Sequence, residues 1–365
     1  MTLWRMHGRV VAVAAGVLVL AASASAFHDG GVASCSGCHL THGGSGTLVG
    51  PSADRGLLIA ESPSDVCLVC HAQRSGAVFG TDPLVPPPET GPGNFVFLTE
   101  DNLNDAPGGA LAPIRGDAAG HNVVAPGHGL RADPRHTLAP GGAFPSASLG
   151  CTSCHDPHGN ASFRMLRGAG PVAGGAFTFV RPAPDAVGPE VGTGPESARR
   201  HTAYRAGMSD WCANCHGPYH EAGRGSAFKH PADRALGAEV AKRYGEYDGD
   251  AHPADGVEAR AYLPQVPFED RASTVTSTAG PGPSSRVMCL TCHRAHATSG
   301  PAAGRWDFEV ALLADDGRAS GSYPIPNPYG SPTQGPLCSK CHETPAGPAK
   351  DAPTGLPADF RPRVR

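Results

Sequence analysis

The sequence predicts a chain that is mostly coil with short helices and very little sheet, organised around covalently attached groups rather than a conventional apolar core. Three observations predict it. Cys-x-x-Cys-His occurs six times and uses all twelve cysteines; 49 glycines and 37 prolines make up 86 of 365 residues; aromatic side chains supply only 6%. Such a polypeptide loses much backbone entropy on ordering and has little apolar side chain to offset the loss.

In Cys-x-x-Cys-His the two thiols can add to the two vinyl groups of one haem, and the adjacent imidazole then reaches the iron on the same face. The copies are Cys35/Cys38/His39, Cys67/Cys70/His71, Cys151/Cys154/His155, Cys212/Cys215/His216, Cys289/Cys292/His293 and Cys338/Cys341/His342. A structural zinc site, a redox dithiol or a disulfide framework would tolerate other residues after the second cysteine. Histidine stands there every time, whereas chance at this chain's Cys and His frequencies gives on the order of 0.02 copies of the pentapeptide. The reading is therefore a multihaem cytochrome c with six haem c groups. The porphyrins supply the missing apolar surface, and the haem-free chain is expected to be unfolded.

A formal charge of -4 points to neither nucleic acid nor a basic membrane patch. Met1 to Ala26 has the form of a secretory signal: Arg5 and Arg9, an apolar run from Val10 to Ala22, and Ala24-Ser25-Ala26 as cleavage site. That run is too short for a membrane span, and no later segment could form one, so the mature chain is expected to be exported without a span. The division is a signal peptide at 1–26, a hexahaem domain at 27–345 and a flexible tail at 346–365.

Successive motifs start 32, 84, 61, 77 and 49 residues apart, which predicts a repeated motif without a repeated module. Thr81 to Pro145 is dominated by Pro, Gly, Ala and Asp, and reads as a wrapping loop pinned by ligands, since His121 lies within it. Pro171 to Gly194 is similarly irregular. The clearest helix is Arg234 to Tyr247, where Leu236, Val240, Tyr244 and Tyr247 fall at helical spacing behind Asp233 as cap. Trp306 to Leu313 is apolar and ambiguous between short helix and strand.

Each iron needs a sixth ligand. Besides His7 and the six proximal residues, eleven histidines remain: His28, His42, His121, His128, His136, His158, His201, His220, His230, His252 and His296. The mature chain holds only Met165, Met208 and Met288, too few for six irons, so histidine at both axial positions is favoured. His42, His158 and His296 each lie three residues beyond a proximal histidine. The chain cannot cross the ring edge in so short a span, so each is expected to bind a neighbouring haem. His220, in C-H-G-P-Y-H, could do the same.

These residues resemble a known family, the hexahaem outer-surface cytochromes of metal-reducing bacteria typified by outer-membrane cytochrome S. The matching stretches are F-H-D-G-G-V-A-S-C-S-G-C-H-L-T-H from Phe27, G-H-N-V-V-A from Gly120, C-T-S-C-H-D-P-H-G from Cys151, G-M-S-D-W-C-A-N-C-H from Gly207, K-H-P-A from Lys229, C-L-T-C-H-R-A-H-A from Cys289 and L-C-S-K-C-H from Leu337. The resemblance implies bis-histidine ligation of all six haems in one continuous chain and polymerisation into filaments. It implies distal candidates at His28, His42, His121, His158, His220, His230 and His296, seven for six places. It also implies that His42 leaves its own subunit for the haem attached at Cys289/Cys292/His293 of the next. The tail beyond Glu343 and several trimmed loops depart from the family.

The expected function is extracellular electron transfer by a secreted subunit that self-associates and meets other redox cytochromes or extracellular electron acceptors, without bond-making residues. The alternatives are a monomeric periplasmic or outer-surface electron shuttle, and a multihaem oxidoreductase. An enzyme wants an exchangeable axial position, and this chain has ample distal histidines.

Overall fold

The computed structural model describes residues 35–40, 58–72, 78–80, 91–99, 103–105, 112–190, 196–220, 232–249, 252–264, 266–305 and 339–342. The signal segment, Trp306 to Leu313 and the tail lie outside them. Among the described residues the helices are α1 (Pro63–His71), α2 (Cys151–Cys154), α3 (Met208–His220), α4 (Gly237–Glu246), α5 (Glu258–Ala261) and α6 (Cys289–Cys292). The strands β1 (Leu103–Asp105), β2 (Ala112–Ile114), β3 (Gly170–Val172), β4 (Phe177–Phe179), β5 (Asp185–Val187) and β6 (Ala203–Ala206) form three two-stranded antiparallel pairs in chain order. Coil, turns and single 3-10 turns make up most of the rest, and no described helix is long and apolar enough to cross a membrane.

Local chemistry places the helices. Ser62 caps α1 by accepting the Asp65 N–H at 3.1 Å, Pro63 occupies its first turn, and the Asp65 carboxylate sits at its positive end. α2 and α6 are single turns running from one cysteine of a motif to the other. Each is braced at its start by a hydroxyl: Ser153 Oγ accepts from Gly150 N–H and Thr291 Oγ1 from Met288 N–H, both at 3.0 Å.

α4 starts later than the apolar spacing predicts, at Gly237 rather than Arg234. Asp233 does not cap it. That residue adopts a left-handed φ of 64° and its carboxylate is taken by Arg286 at 2.7 Å. The apolar stripe still turns inward, burying Ala241 and Tyr244, with Tyr247 just beyond the helix end.

Apolar packing is divided into three small clusters. The largest joins Leu68 of α1 to Phe95, Val96, Phe97, Ala119, Val123, Ala125, Leu130 and Ala297. Most of it comes from the Pro- and Gly-rich stretch between the second and third motifs, which wraps against the loop after α6. Asn94 N–H donates to Ala297 O, His121 N–H to His296 O and Thr298 N–H to Ala119 O. Gly120 makes this approach possible, because a Cβ there would stand 2.3 Å from the His296 carbonyl oxygen.

The motif spacings predict no repeated module, and the structure corrects this. α1 packs on α2, and α3 on α6, in the same way. Ser64 and Ser209, each three residues before the first cysteine of the earlier motif, accept the N–H of Cys151 and Cys289 in the later motif, both at 3.1 Å. The loops that follow also match. Arg164, Met165, Ala302 and Ala303 share φ values between 49° and 55°. Arg167 Nε donates to Thr152 O, and Arg305 Nε to Leu290 O, both at 2.7 Å. Connecting loops of different length hide this two-motif unit from a count of spacings, since loop length is only weakly constrained by stability.

Candidate haem sites

In α2 and α6 the two cysteines stand three residues apart on a helical turn, so their thiols share a face. The next residue leaves the helix: His155 has φ -107°, ψ 145° and His293 φ -113°, ψ 165°. His216 marks a kink within α3 in the same role. The break swings the imidazole away from the thiols, as a ligand that must reach the centre of a ring held at its edge requires. Among the described residues no three of His, Cys, Asp and Glu converge as a compact metal cluster.

The first five motifs follow one another in space in their sequence order. Cys38 is felt by Cys67; the thiols of Cys67 and Cys151 are within hydrogen-bonding reach; Cys215 is felt by Cys154; Cys212 and Cys289 again meet directly. Burial pushes the Cys154 and Cys215 thiols up to about 12.

The outer motifs differ from these central ones. Cys35 opens a 3-10 turn, Cys35–Gly37, and is exposed, whereas Cys38 and His39 are half-buried. In α1 Cys67 is half-buried, but Cys70 and His71 face solvent at the helix end. Cys341 is half-buried in the turn after Lys340, and His342 is exposed just beyond it. Ser339 and Lys340, directly before Cys341, are buried. Cys338 lies outside the described residues.

The histidines divide by what holds their Nδ1 atoms. Backbone carbonyls accept from His155 (Arg164 O, 2.8 Å), His216 (Pro140 O, 2.7 Å), His293 (Ala302 O, 2.9 Å) and His121 (Ala295 O, 2.7 Å). Each ring is thereby fixed in the tautomer whose Nε2 carries the lone pair, the usual outer-shell arrangement of a metal-ligating histidine. The protein packed around them disfavours the charged form. His121, His155 and His293 are lowered, although His121 keeps an accessible edge; His216 is held down to about 4 and His296 to about 3.

Two imidazole pairs stand at the centre-to-centre separation that axial partners need. Two metal–nitrogen bonds of about 2 Å, plus roughly 1 Å from each nitrogen to its ring centre, separate facing imidazoles by about 6 Å. His39 and His158 face each other at 6.4 Å with planes 9° apart, and His121 and His216 stand at 6.0 Å with planes 43° apart. Both pairs join a motif histidine to a surplus one, so the residues present fit haem c. On His296 the imidazole acting most strongly is that of His155.

The other surplus histidines are engaged elsewhere. His201 Nε2 is taken by Ser277 O and the Tyr262 hydroxyl, each at 2.8 Å. His128 and His136 place Nδ1 on Asp65 and Asp133 at 3.0 Å, and His252 lies 3.4 Å from Asp255. His220 points its buried Nε2 towards Asp210, at 3.5 Å. His28, His42 and His230 lie outside the described residues.

Sequence reasoning missed the cations of these sites. Arg167 and Arg305 grip the backbone of the third and fifth motifs, and their common distance from the first cysteine was the available signal. Lys340, between the cysteines of the sixth motif, is buried with its ammonium on the carbonyls of Tyr244 (2.7 Å), Tyr247 (3.0 Å) and Ala261, and 3.8 Å from the Tyr244 ring centre. Nothing in its local sequence distinguishes it from a surface lysine.

No protein-family model matches the chain. The C-type cytochrome OmcS of Geobacter sulfurreducens is 30% identical, over 90% of this chain and 96% of its own length. The alignment runs over 433 positions against this chain's 365, so the relative carries segments without a counterpart here. Two solved structures match: the OmcS nanowires of Geobacter sulfurreducens, determined by cryo-EM (TM-score 0.72, 26% identity), and the outer membrane cytochrome S filament of the same organism (0.66, 27%). Each match covers 87% of this chain and 99% of the other. With six attachment motifs, facing imidazoles and this likeness in sequence and fold, the chain belongs to the OmcS family of c-type cytochromes.

Proposed function

We propose that this chain transfers electrons outside the cell through six bis-histidine haems, as the repeating subunit of a filament like those of its relative. Haem c supplies the one-electron chemistry. The chain's part is to attach the groups in sequence order, hold two imidazoles on each iron and leave no exchangeable position.

The observation that carries this reading is the pairing of His39 with His158. The histidine three residues beyond the third proximal ligand faces the first one, two motifs back. His296 stands in the same relation to the fifth motif, and His155, two motifs back, is the imidazole acting most strongly on it. Continued to the first motif, the rule sends His42 to the fifth haem of an adjoining copy. A second rule completes the set: His121, lying before the third motif, faces His216 of the fourth. By the same step His28 serves the second haem, attached at Cys67 and Cys70 with His71 proximal, and His230 the sixth, attached at Cys338 and Cys341 with His342 proximal. All six irons then have two histidines, and His220, beside Asp210, is the spare candidate.

His42→Ala tests assembly directly. The expected result is a holoprotein with six haems that no longer forms filaments by electron microscopy and carries one high-spin haem. Unchanged filaments would overturn the inter-subunit ligand; a wild type that stays monomeric with six low-spin haems would support the shuttle instead.

A further inference from the structure

The third and fifth haem sites are built on one backbone plan, yet their charges differ. At both, an arginine sixteen residues after the first cysteine donates Nε to a carbonyl inside the motif, Thr152 O or Leu290 O, at 2.7 Å. Arg167 then reaches Asp156 at 3.8 Å, and both side chains keep about a quarter of their surface in water, at 25% and 27%. Arg305 is buried, and among the described residues no carboxylate oxygen lies within 4.0 Å of it. The residue in the place of Asp156 is Arg294, itself buried.

The charged and titratable groups acting on Arg305 are Tyr204, Cys292, Glu196 and, across the motif, His293. Glu196 is the one formal anion among them, and its carboxylate is committed to Thr202, accepting from the backbone N–H at 2.8 Å and from the hydroxyl. The cation is thus buried beside the fifth motif with no carboxylate in contact among the described residues, whereas Arg167 acts on the third as half of a hydrated ion pair.

We propose that Arg305 is a potential-setting residue, holding the haem attached at Cys289/Cys292 at a higher reduction potential than the repeat-related haem attached at Cys151/Cys154. Reduction removes one positive charge from an iron centre, so a buried cation beside it favours the reduced state. The chain of haems is then graded: the fifth site, where the rule above places the ligand from an adjoining copy, retains electrons better than the third. This inference rests on the proposed haem chain.

The test is a spectroelectrochemical titration of the purified holoprotein, with haem content and spin state measured alongside. In Arg305→Gln one of six Nernstian components is expected to move to lower potential, Arg305→Lys to leave the curve in place, and Arg167→Gln to give a smaller shift. Asp156→Asn, which keeps the fold's hydrogen bonds while unmasking Arg167, is expected to move a component upward. Superposable curves for wild type and Arg305→Gln, or a larger shift in Arg167→Gln, would overturn the proposal. If Arg305→Gln fails to load six haems, an unmoved curve in Asp156→Asn overturns it alone. A filamentous wild type lacking six low-spin haems would instead sink the haem-chain reading itself.

Discussion

The unit built on α1 and α2 and the unit built on α3 and α6 share a backbone plan but treat charge differently. In the first, the buried carboxylate of Asp65 is fully engaged, by the Ser62 hydroxyl at 2.7 Å and by His128 at 3.0 Å, and Arg167 is matched by Asp156. In the second, Glu269 is buried with Oε1 on the Met208 N–H at 2.5 Å and Oε2 without a hydrogen-bond partner among the described residues, while Arg305 is buried without a carboxylate in contact. The stretch packed on the first unit is apolar, whereas the sixth motif beyond the second is held by the ammonium of Lys340. Two motifs can thus share a backbone plan and still differ in their electrostatic surroundings, because the scaffold hydrogen bonds are backbone features and the charges are side-chain choices.

The largest effect expected from breaking the comparison is at the axial histidines. His121→Ala should turn one haem high-spin and able to bind cyanide or carbon monoxide, and His158→Ala should do the same to another; His220→Ala should leave all six low-spin. Electron paramagnetic resonance of the oxidised protein reads this directly, and a high-spin signal in His220→Ala would return that residue to the ligand set.

Next come the two ways of holding the chain. Phe97→Ala empties a fully buried position in the apolar cluster and is expected to cost about 4 kcal/mol. Lys340→Met leaves three carbonyls without their donor and is expected to cost about 2 kcal/mol. Denaturant unfolding of the holoprotein measures both, and a neutral Lys340→Met would show that the sixth motif is held by its haem alone.

The smallest expected effect is at Glu269, whose carboxyl burial raises above its ordinary value of 4.5. The folded state then holds this proton more tightly than the unfolded state. The stabilisation is fully present below pH 4.5 and is lost as pH rises through the raised value. Glu269→Gln keeps the acceptor for Met208 and removes the loss, so its stability relative to wild type should increase as pH rises from below 4.5 through the raised value. A difference that does not change with pH would mean that the carboxylate finds a partner in the holoprotein.

Much of the site could be read without coordinates. The attachment motifs are local, because thioether formation and proximal ligation need only five consecutive residues. The wrapping role of the stretch around His121 followed from a candidate ligand lying within a loop. The repeat was also partly visible, in S-D-V-C-L-V-C-H from Ser64 against S-D-W-C-A-N-C-H from Ser209, but unequal loops concealed it. Asp233 shows the opposite failure: a good capping residue in the right place whose backbone and carboxylate were claimed by Arg286, far along the chain.

By itself the sequence determined the attachment chemistry, six Cys-x-x-Cys-His motifs and a surplus of histidines, since covalent specificity resides in contiguous residues. Only the tertiary structure decided which histidine faces which, and where charge is buried. His39 and His158, or Arg305 and its surroundings, come from segments far apart in sequence, and no local pattern encodes their meeting or the dielectric in which they meet.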